Sequence, residues 1–231
     1  MLENRTKIGN LFVSFYLNNS SKNLLLINGI PSYITKHHPL VRFCSENKIN
    51  LFIPRYYGSF ESDGEFSLRN CISTVEETVT FVCSQRSLEL FGQKELAWTS
   101  SEIFVLGFSF GALPVLNAKL PINVKKILCS PLIDLELNDK CKGSAKKEIY
   151  YIEKAYPNLF RFNASTLIEE YSGISNPEKE EFSLIYGDQD DTISTLEIEH
   201  IQSKYSPRSV CFHGGHTLDL NSLRQIMSIG I

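Results

Sequence analysis

Short runs rich in apolar residues recur along the chain, and longer polar stretches separate them. Most of these runs carry branched or aromatic side chains and are too short to be helices. Buried strands are predicted at Leu11–Leu17, Leu24–Ile27, Ile49–Ile53, Ile103–Leu106, Val124–Cys129, Ser183–Tyr186 and Val210–Phe212. Continuous apolar strands are typical of parallel sheets that helices cover on both faces. The pattern therefore predicts an α/β fold in which the first of these strands is antiparallel.

Helical patterns occupy several of the stretches between these runs. Between residues 70 and 89, apolar residues recur three or four positions apart, which places them on one face of a helix. These residues are Ile72, Val75, Val79 and Val82. Further helices are predicted over residues 39–47, 145–156, 164–171 and 217–227.

A serine between two glycines follows the run Ile103–Leu106. The residues read Gly107-Phe108-Ser109-Phe110-Gly111, and an apolar, helix-like stretch comes next. Glycines at such a turn allow strand and helix to approach closely, and the turn exposes the serine hydroxyl. This pattern predicts that Ser109 is a nucleophile.

An acidic turn and a histidine turn appear downstream, each directly after a predicted strand. The acidic turn is Gly187-Asp188-Gln189-Asp190-Asp191, and the histidine turn is His213-Gly214-Gly215-His216. A serine needs a general base to accept its proton, and the imidazole of histidine is suited to this because it titrates near neutrality. A carboxylate then orients the imidazole.

The order serine, aspartate, histidine and the turns that carry these residues resemble those of the α/β-hydrolase superfamily. The resemblance runs from Leu24 to about the C-terminus and includes the segment Asn28-Gly29-Ile30-Pro31. It implies a single domain over residues 1–231, with a mostly parallel sheet, helices on both faces and a small helical cap at about residues 132–181. An ordinary elongated crossover is the alternative for that segment.

The resemblance also suggests which acid and which base take part. The superfamily spacing from glycine to aspartate to an apolar residue is matched by Gly187, Asp190 and Ile193. Asp190 is therefore the expected acid, and Asp134, just after another strand, is the alternative. His216 is the expected base because the glycine pair lets a loop carry it towards Ser109. His213 is the rival base.

Two backbone N–H groups are expected to form the oxyanion hole. One belongs to Phe110, which follows the nucleophile. The other is that of Ile30, in a loop where family members often carry a histidine at the position of Asn28. The stretch from Pro54 to Ser67 resembles the family's loop beside the active site, and a turn-rich surface loop is the alternative.

Composition narrows the range of partners. The chain of 231 residues has a formal net charge of −3 and no cluster of basic residues, which argues against a nucleic-acid partner. It has neither a signal-peptide pattern nor the roughly 20 apolar residues of a membrane span, so a cytoplasmic protein is expected. The six cysteines lack zinc-site spacing, and Cys129 and Cys211 are expected to be buried free thiols.

The expected function is that of a serine hydrolase without metal or cofactor. Its substrate would be a small-molecule carboxylic ester or thioester, which it cleaves through an acyl-enzyme intermediate. Two alternatives stay open at this point: a small-peptide amidase or peptidase of the prolyl-oligopeptidase-like branch, and a non-catalytic ligand-binding protein on the same fold. The oligomeric state is not predicted.

Overall fold

The computed structural model describes residues 2–141 and 143–229. The strands are β1 (Asn4–Ile8), β2 (Leu11–Tyr16), β3 (Lys22–Ile27), β4 (Asn50–Pro54), β5 (Arg86–Leu88), β6 (Glu95–Ala97), β7 (Glu102–Phe108), β8 (Val124–Cys129), β9 (Phe182–Gly187) and β10 (Arg208–Phe212). The α-helices are α1 (Pro39–Glu46), α2 (Leu68–Ser84), α3 (Ala112–Asn117), α4 (Leu135–Lys140), α5 (Ala145–Ala155), α6 (Ala164–Gly173), α7 (Thr195–Tyr205) and α8 (Leu220–Ser228).

An eight-stranded sheet forms the centre of the protein. Its strand order is β1-β2-β4-β3-β7-β8-β9-β10. The β1–β2 and β2–β4 pairs are antiparallel, and every pair from β4–β3 to β9–β10 is parallel. The predicted α/β class and the antiparallel early strand are thus confirmed. The parallel strands all end at one edge of the sheet, where loops can bring distant residues together.

Hydrophobic cores lie on both faces of the sheet, and β3 contributes to each of them. Leu25 and Ile27 pack into one core, whereas Leu24 and Leu26 pack into the other. This alternation follows from the two-residue period of a strand. Each fully buried leucine contributes about 1.5–3 kcal/mol, which explains why such strands are apolar throughout.

The predicted helix over residues 70–89 is correct in its first part and wrong at its end. Helix α2 buries the apolar face that contains Val75 and Val79, but it stops at Ser84. Gln85 adopts a left-handed conformation with φ of 60°, and β5 then pairs with β6 in a two-stranded ribbon. Residues 85–91 contain no proline or glycine that would mark this stop, and the chain turns instead into the ribbon with residues 95–97.

Helices α7 and α8 show how side-chain caps set helix ends. The prediction lacked α7, although Ser194 and Glu197 form a capping box that is readable in the sequence. Helix α8 begins at Leu220 rather than at Thr217, because the carboxylate of Asp219 accepts hydrogen bonds from the first turn.

Only one of the two cysteines that were expected to be buried is buried. Cys129 is fully buried, as predicted, but Cys211 is exposed. The expectation for Cys211 was wrong because β10 is the edge strand of the sheet and pairs only with β9. An apolar residue in an edge strand can face solvent even when the strand pattern resembles that of a central strand.

Three helices, α4 to α6, lie in the segment at residues 132–181. The loop between α5 and α6 forms backbone hydrogen bonds with the stretch that follows β4: the N–H of Phe60 donates to Leu159 at 2.8 Å, and that of Phe66 donates to Arg161 at 2.9 Å. The segment is therefore fixed against that stretch. Its function as a cap stays a prediction.

No helix in the described part of the chain is both long and apolar enough to cross a membrane.

Candidate active site

Ser109 lies on a sharp turn between β7 and α3. A short 3₁₀ helix, Ser109–Gly111, links the two elements, and Ser109 has a φ of 54°. A non-glycine residue in this left-handed region costs about 1–3 kcal/mol, which the surrounding structure must offset. The strand-to-helix turn predicted from the sequence is therefore present, and its backbone is strained at Ser109.

Both glycines of this turn are required by close backbone contacts. A Cβ atom on Gly111 would lie 2.1 Å from the carbonyl oxygen of Ile27, and one on Gly107 would lie 2.7 Å from the carbonyl oxygen of Gly111. Contacts this short with backbone atoms cannot be relieved by a side-chain movement. Gly111 therefore lets the turn pack against the end of β3, and Gly107 lets β7 approach the start of α3.

We expect Gly111→Ala to lower the free energy of unfolding by about 1–3 kcal/mol or more, because the added methyl group displaces the backbone at Ile27. Chemical denaturation would measure the loss. Gly173→Ala is the matched control, since no atom lies within 4 Å of a Cβ at that position. Equal stabilities of the two variants would contradict the close packing described for the turn.

A continuous hydrogen-bond chain joins the serine, the histidine and the aspartate singled out from the sequence. The Nε2 atom of His216 lies 2.7 Å from the Oγ of Ser109, and its Nδ1 lies 3.0 Å from the Oδ2 of Asp190. The side chain of His216 is 17% exposed and that of Asp190 is 2% exposed. The imidazole can thus accept the serine proton on one side while a shielded carboxylate holds its other nitrogen.

The carboxylate of Asp190 is held by its own loop. Its Oδ1 accepts hydrogen bonds from the backbone N–H of Thr192 at 3.0 Å and of Ile193 at 2.8 Å. Burial acts to raise the pKa of Asp190, but the hydrogen bond and charge of His216 and the N–H of Ile193 outweigh it. The pKa of Asp190 consequently lies below its ordinary value, so the side chain is ionised at neutral pH.

The loops after β9 and β10 are packed closely together, and this fixes His216 opposite Asp190. The N–H of Gln189 donates to the carbonyl of Gly214 at 2.9 Å. A Cβ on Gly187 would lie 2.2 Å from the same carbonyl oxygen. On its other side the ring of His216 packs on Phe108, with the ring centres 5.1 Å apart.

The loop after β3 lies against Ser109. A Cβ on Gly29 would be 3.1 Å from the Cβ of Ser109 and 3.5 Å from its Oγ. The hydroxyl of Tyr56 donates to the carbonyl of Asn28 at 2.6 Å and holds the loop in this position. The loop that contains Ile30 thus borders Ser109, and Phe110 is the residue directly after Ser109. That the backbone N–H groups of Ile30 and Phe110 form the oxyanion hole stays a prediction.

The chain is similar to known proteins in its structure and not in its sequence. No protein-family model and no curated protein sequence matches the chain. Among solved structures, alpha/beta hydrolase domain-containing protein 10 from mouse is 14% identical with a TM-score of 0.65, and covers 99% of this chain and 96% of its own. An esterase from Pyrococcus furiosus is 18% identical with a TM-score of 0.64, and covers 98% and 85%.

A third structure is Est1E from Butyrivibrio proteoclasticus with bound ferulic acid. It is 15% identical with a TM-score of 0.66, and covers 97% of this chain and 95% of its own. The chain has the α/β-hydrolase fold. At these identities the likeness establishes the fold of the chain, and its chemistry has to be argued from its own residues.

The α/β-hydrolase fold brings a second histidine–aspartate pair to the same edge of the sheet. The Nδ1 atom of His213 lies 3.1 Å from Asp188. This pair is exposed, at 77% for the histidine side chain and 47% for the aspartate, and neither side chain forms a hydrogen bond with Ser109 within the part of the chain that the structure describes. The hydrogen-bond chain to Ser109 therefore runs through His216 and not through His213.

The other acidic candidates have local roles. The Oδ1 of Asp134 accepts a hydrogen bond from the N–H of Leu137 at 2.9 Å and caps α4. Asp191 is exposed and lies 3.4 Å from the hydroxyl of Thr192. In residues 2–141 and 143–229, neither carboxylate forms a hydrogen bond with a histidine.

The two aspartates of the β9 loop form a matched pair for mutation. We expect Asp190→Asn to lower kcat/KM by about three to four orders of magnitude, because only this carboxylate fixes the tautomer of the imidazole that contacts Ser109. Asp188→Asn should leave the rate within about threefold, since exposed ion pairs contribute little. Steady-state ester hydrolysis measures both, and a larger loss for Asp188→Asn would reverse the assignment of the acid.

The stretch from Pro54 to Ser67, which resembles the family's loop beside the active site, contributes further residues near Ser109. Tyr56 holds the loop after β3, and its ring packs on Phe110 with the centres 5.9 Å apart. Arg55 lines a small pocket together with Gly29 and Ile30. The tyrosine had a signal in the family-like loop motif, whereas no sequence feature distinguished Arg55 from a surface arginine.

A larger groove lies at the opposite edge of the sheet. Val124, Phe182 and Arg208, the first residues of β8, β9 and β10, line it. Because these strands are parallel, the groove is separated from Ser109 by the length of the sheet. Among the described residues no group of three or more histidine, cysteine, aspartate or glutamate side chains is arranged to hold a metal ion.

Proposed function

We propose that this protein is a serine hydrolase that cleaves carboxylic esters or thioesters through an acyl-enzyme intermediate. The observation that carries the proposal is the hydrogen-bond chain from Asp190 through His216 to Ser109. The likeness of the fold to that of a solved esterase from Pyrococcus furiosus also supports the proposal.

In the first half of the reaction, the Nε2 of His216 accepts the proton of Ser109 as its Oγ attacks the carbonyl carbon. Negative charge develops on the carbonyl oxygen, and the N–H groups of Ile30 and Phe110 stabilise it. The tetrahedral intermediate then collapses, and His216 donates its proton to the departing alcohol or thiol. This leaves the acyl group on the Oγ.

In the second half, His216 removes a proton from a water molecule that attacks the acyl-enzyme. A second tetrahedral intermediate collapses, the carboxylic acid leaves and the proton returns to Ser109. The negative charge of Asp190 stabilises the imidazolium in both halves and holds the ring in place. Each proton that leaves Ser109 or water is thus returned by the same nitrogen.

The competing possibility is a ligand-binding protein without catalysis. The backbone strain at Ser109 and its 2.7 Å contact with His216 favour an enzyme, because a binding protein gains nothing from either feature. Labelling with a fluorophosphonate probe tests this directly, since the probe reacts only with an activated serine. Absence of labelling in the folded protein would contradict the proposed function.

The bond that is cleaved can be identified with a panel of p-nitrophenyl esters, acyl thioesters and aminoacyl amides. The proposal expects turnover of the esters or thioesters at rates well above those of the amides. A faster rate on the aminoacyl amides would instead assign the protein to the amidase class.

A further inference from the structure

Arg55 is a buried cation whose hydrogen-bonding capacity is largely unused. Its side chain is only 4% exposed. The Nε and Nη2 atoms form no hydrogen bond with any residue in the described ranges. A buried, unpaired donor costs about 1–3 kcal/mol, and more when it is charged. Such a group in a native structure is expected to serve a ligand or a mechanism.

The position of Arg55 connects it to the nucleophile. It follows β4 directly and lines a small pocket with Gly29, Ile30 and Ser32. Gly29 also lies against Ser109. One wall of the pocket is therefore the loop that borders the serine.

The guanidinium group is held in place by an aromatic ring and by one partly exposed carboxylate. The ring of Tyr33 lies over it, 4.0 Å from the guanidinium carbon. The Oε2 of Glu61 is 3.5 Å from Nε and forms an ion pair without a hydrogen bond, while its Oε1 accepts from the hydroxyl of Tyr33 at 3.2 Å. Glu61 is 40% exposed. It can therefore turn into solvent when another anion takes its place.

The chemistry of these donors selects a carboxylate. A guanidinium group presents a planar fork of N–H donors that matches the two oxygens of a carboxylate. The rings of Phe60 and Phe160 also line the pocket, whose cavity volume is only about 10 Å³. A carboxylate can therefore reach Arg55 only by taking the place of the Glu61 carboxylate. Ile30 both lines the pocket and is the proposed donor to the acyl carbonyl oxygen. The acyl chain is thus the part of the substrate that enters.

We propose that Arg55 binds a free carboxylate on the acyl group of the substrate. The preferred substrates would be esters or thioesters of short dicarboxylic acids that keep one acid group free. This inference rests on the proposed function of Ser109.

The test compares p-nitrophenyl esters of succinate, glutarate and adipate with their neutral methyl diesters of the same length. At one or more of these lengths, kcat/KM of the wild-type protein should be about tenfold or more higher for the free acid than for the neutral diester. This ratio corresponds to the free energy of one charge-assisted hydrogen bond. Arg55→Met should abolish that preference and leave the neutral diester within about twofold. Arg55→Lys should keep part of it, because it retains the charge without the fork.

Glu61→Gln is the matched control, because it removes the competing anion and keeps the size of the side chain. It should lower KM for the free acid and leave KM for the neutral diester unchanged. Thermal unfolding of each variant shows whether it is folded. If Arg55→Met reduced both substrates equally, or if the wild-type protein favoured the neutral diesters at every length, the carboxylate site would be overturned.

Binding separates this inference from the proposed function. Calorimetric titration measures how tightly the glutarate ester binds to Ser109→Ala and to the double variant that also carries Arg55→Met. The ester is not turned over in either variant, so the measurement reports binding alone. If Ser109→Ala bound the ester in a way that depends on Arg55, while the wild-type protein hydrolysed no ester, the carboxylate site would be upheld and the hydrolase refuted. Hydrolysis without any preference for the free acid would refute the carboxylate site and uphold the hydrolase.

Discussion

Ser109→Ala should abolish labelling by a fluorophosphonate probe and reduce ester hydrolysis by about four orders of magnitude or more. The Oγ of Ser109 is the atom that His216 contacts at 2.7 Å, and without it no acyl-enzyme can form. The fold should be retained, because alanine keeps the Cβ and removes only the hydroxyl. Probe labelling, kcat/KM and circular dichroism together measure the effect.

Ser130→Ala is the matched control for this substitution. Ser130 directly follows the neighbouring strand β8 and shares the left-handed conformation of Ser109, with a φ of 44°. Its buried hydroxyl helps to lower the pKa of Asp190, so its loss should slow hydrolysis only modestly. The variant should keep its labelling. If Ser109→Ala retained wild-type hydrolysis, or if labelling were lost only with Ser130→Ala, the nucleophile would be wrongly assigned.

His216→Ala should likewise lower kcat/KM by about four orders of magnitude, because the general base is lost. His213→Ala should change it by less than about twofold. Both histidines follow β10 and both contact an aspartate of the β9 loop, so the substitutions are alike in chemistry. They differ in that His216 faces Ser109, whereas the side chain of His213 is 77% exposed.

Steady-state ester hydrolysis measures both substitutions, and circular dichroism shows whether each variant is folded. The opposite outcome, an essential His213 and a dispensable His216, would show that the base is His213, before the glycine pair, and not His216, after it.

The strands were readable from the sequence because burial on both faces makes them apolar at every position. Leu24–Ile27 and Ile103–Leu106 are clear examples, and both are central in the sheet. The ribbon of β5 and β6 was not readable, since its short strands are mostly exposed and lack an apolar pattern. The exposure of Cys211 likewise depends on the edge position of β10, which is a property of the whole sheet.

The serine turn could be predicted from the sequence because its glycine-serine-glycine pattern lies within five residues. The close contact of Gly107 is with the start of the following helix, whereas the contact of Gly111 with Ile27 of β3 is seen only in the tertiary structure. The choice of Asp190 and His216 rested on spacing and resemblance. The structure adds that their loops bind each other through Gly214, which is why these two side chains face the serine.

The surroundings of Arg55 depended entirely on tertiary structure. Its ring contact comes from Tyr33, its counterion is Glu61, and Gly29 connects its pocket to Ser109. In the sequence these residues lie in separate segments around β4, and nothing in their spacing indicates that they meet. A buried charge reflects how such segments pack together, and the pattern of apolar and polar residues in any one of them does not record it.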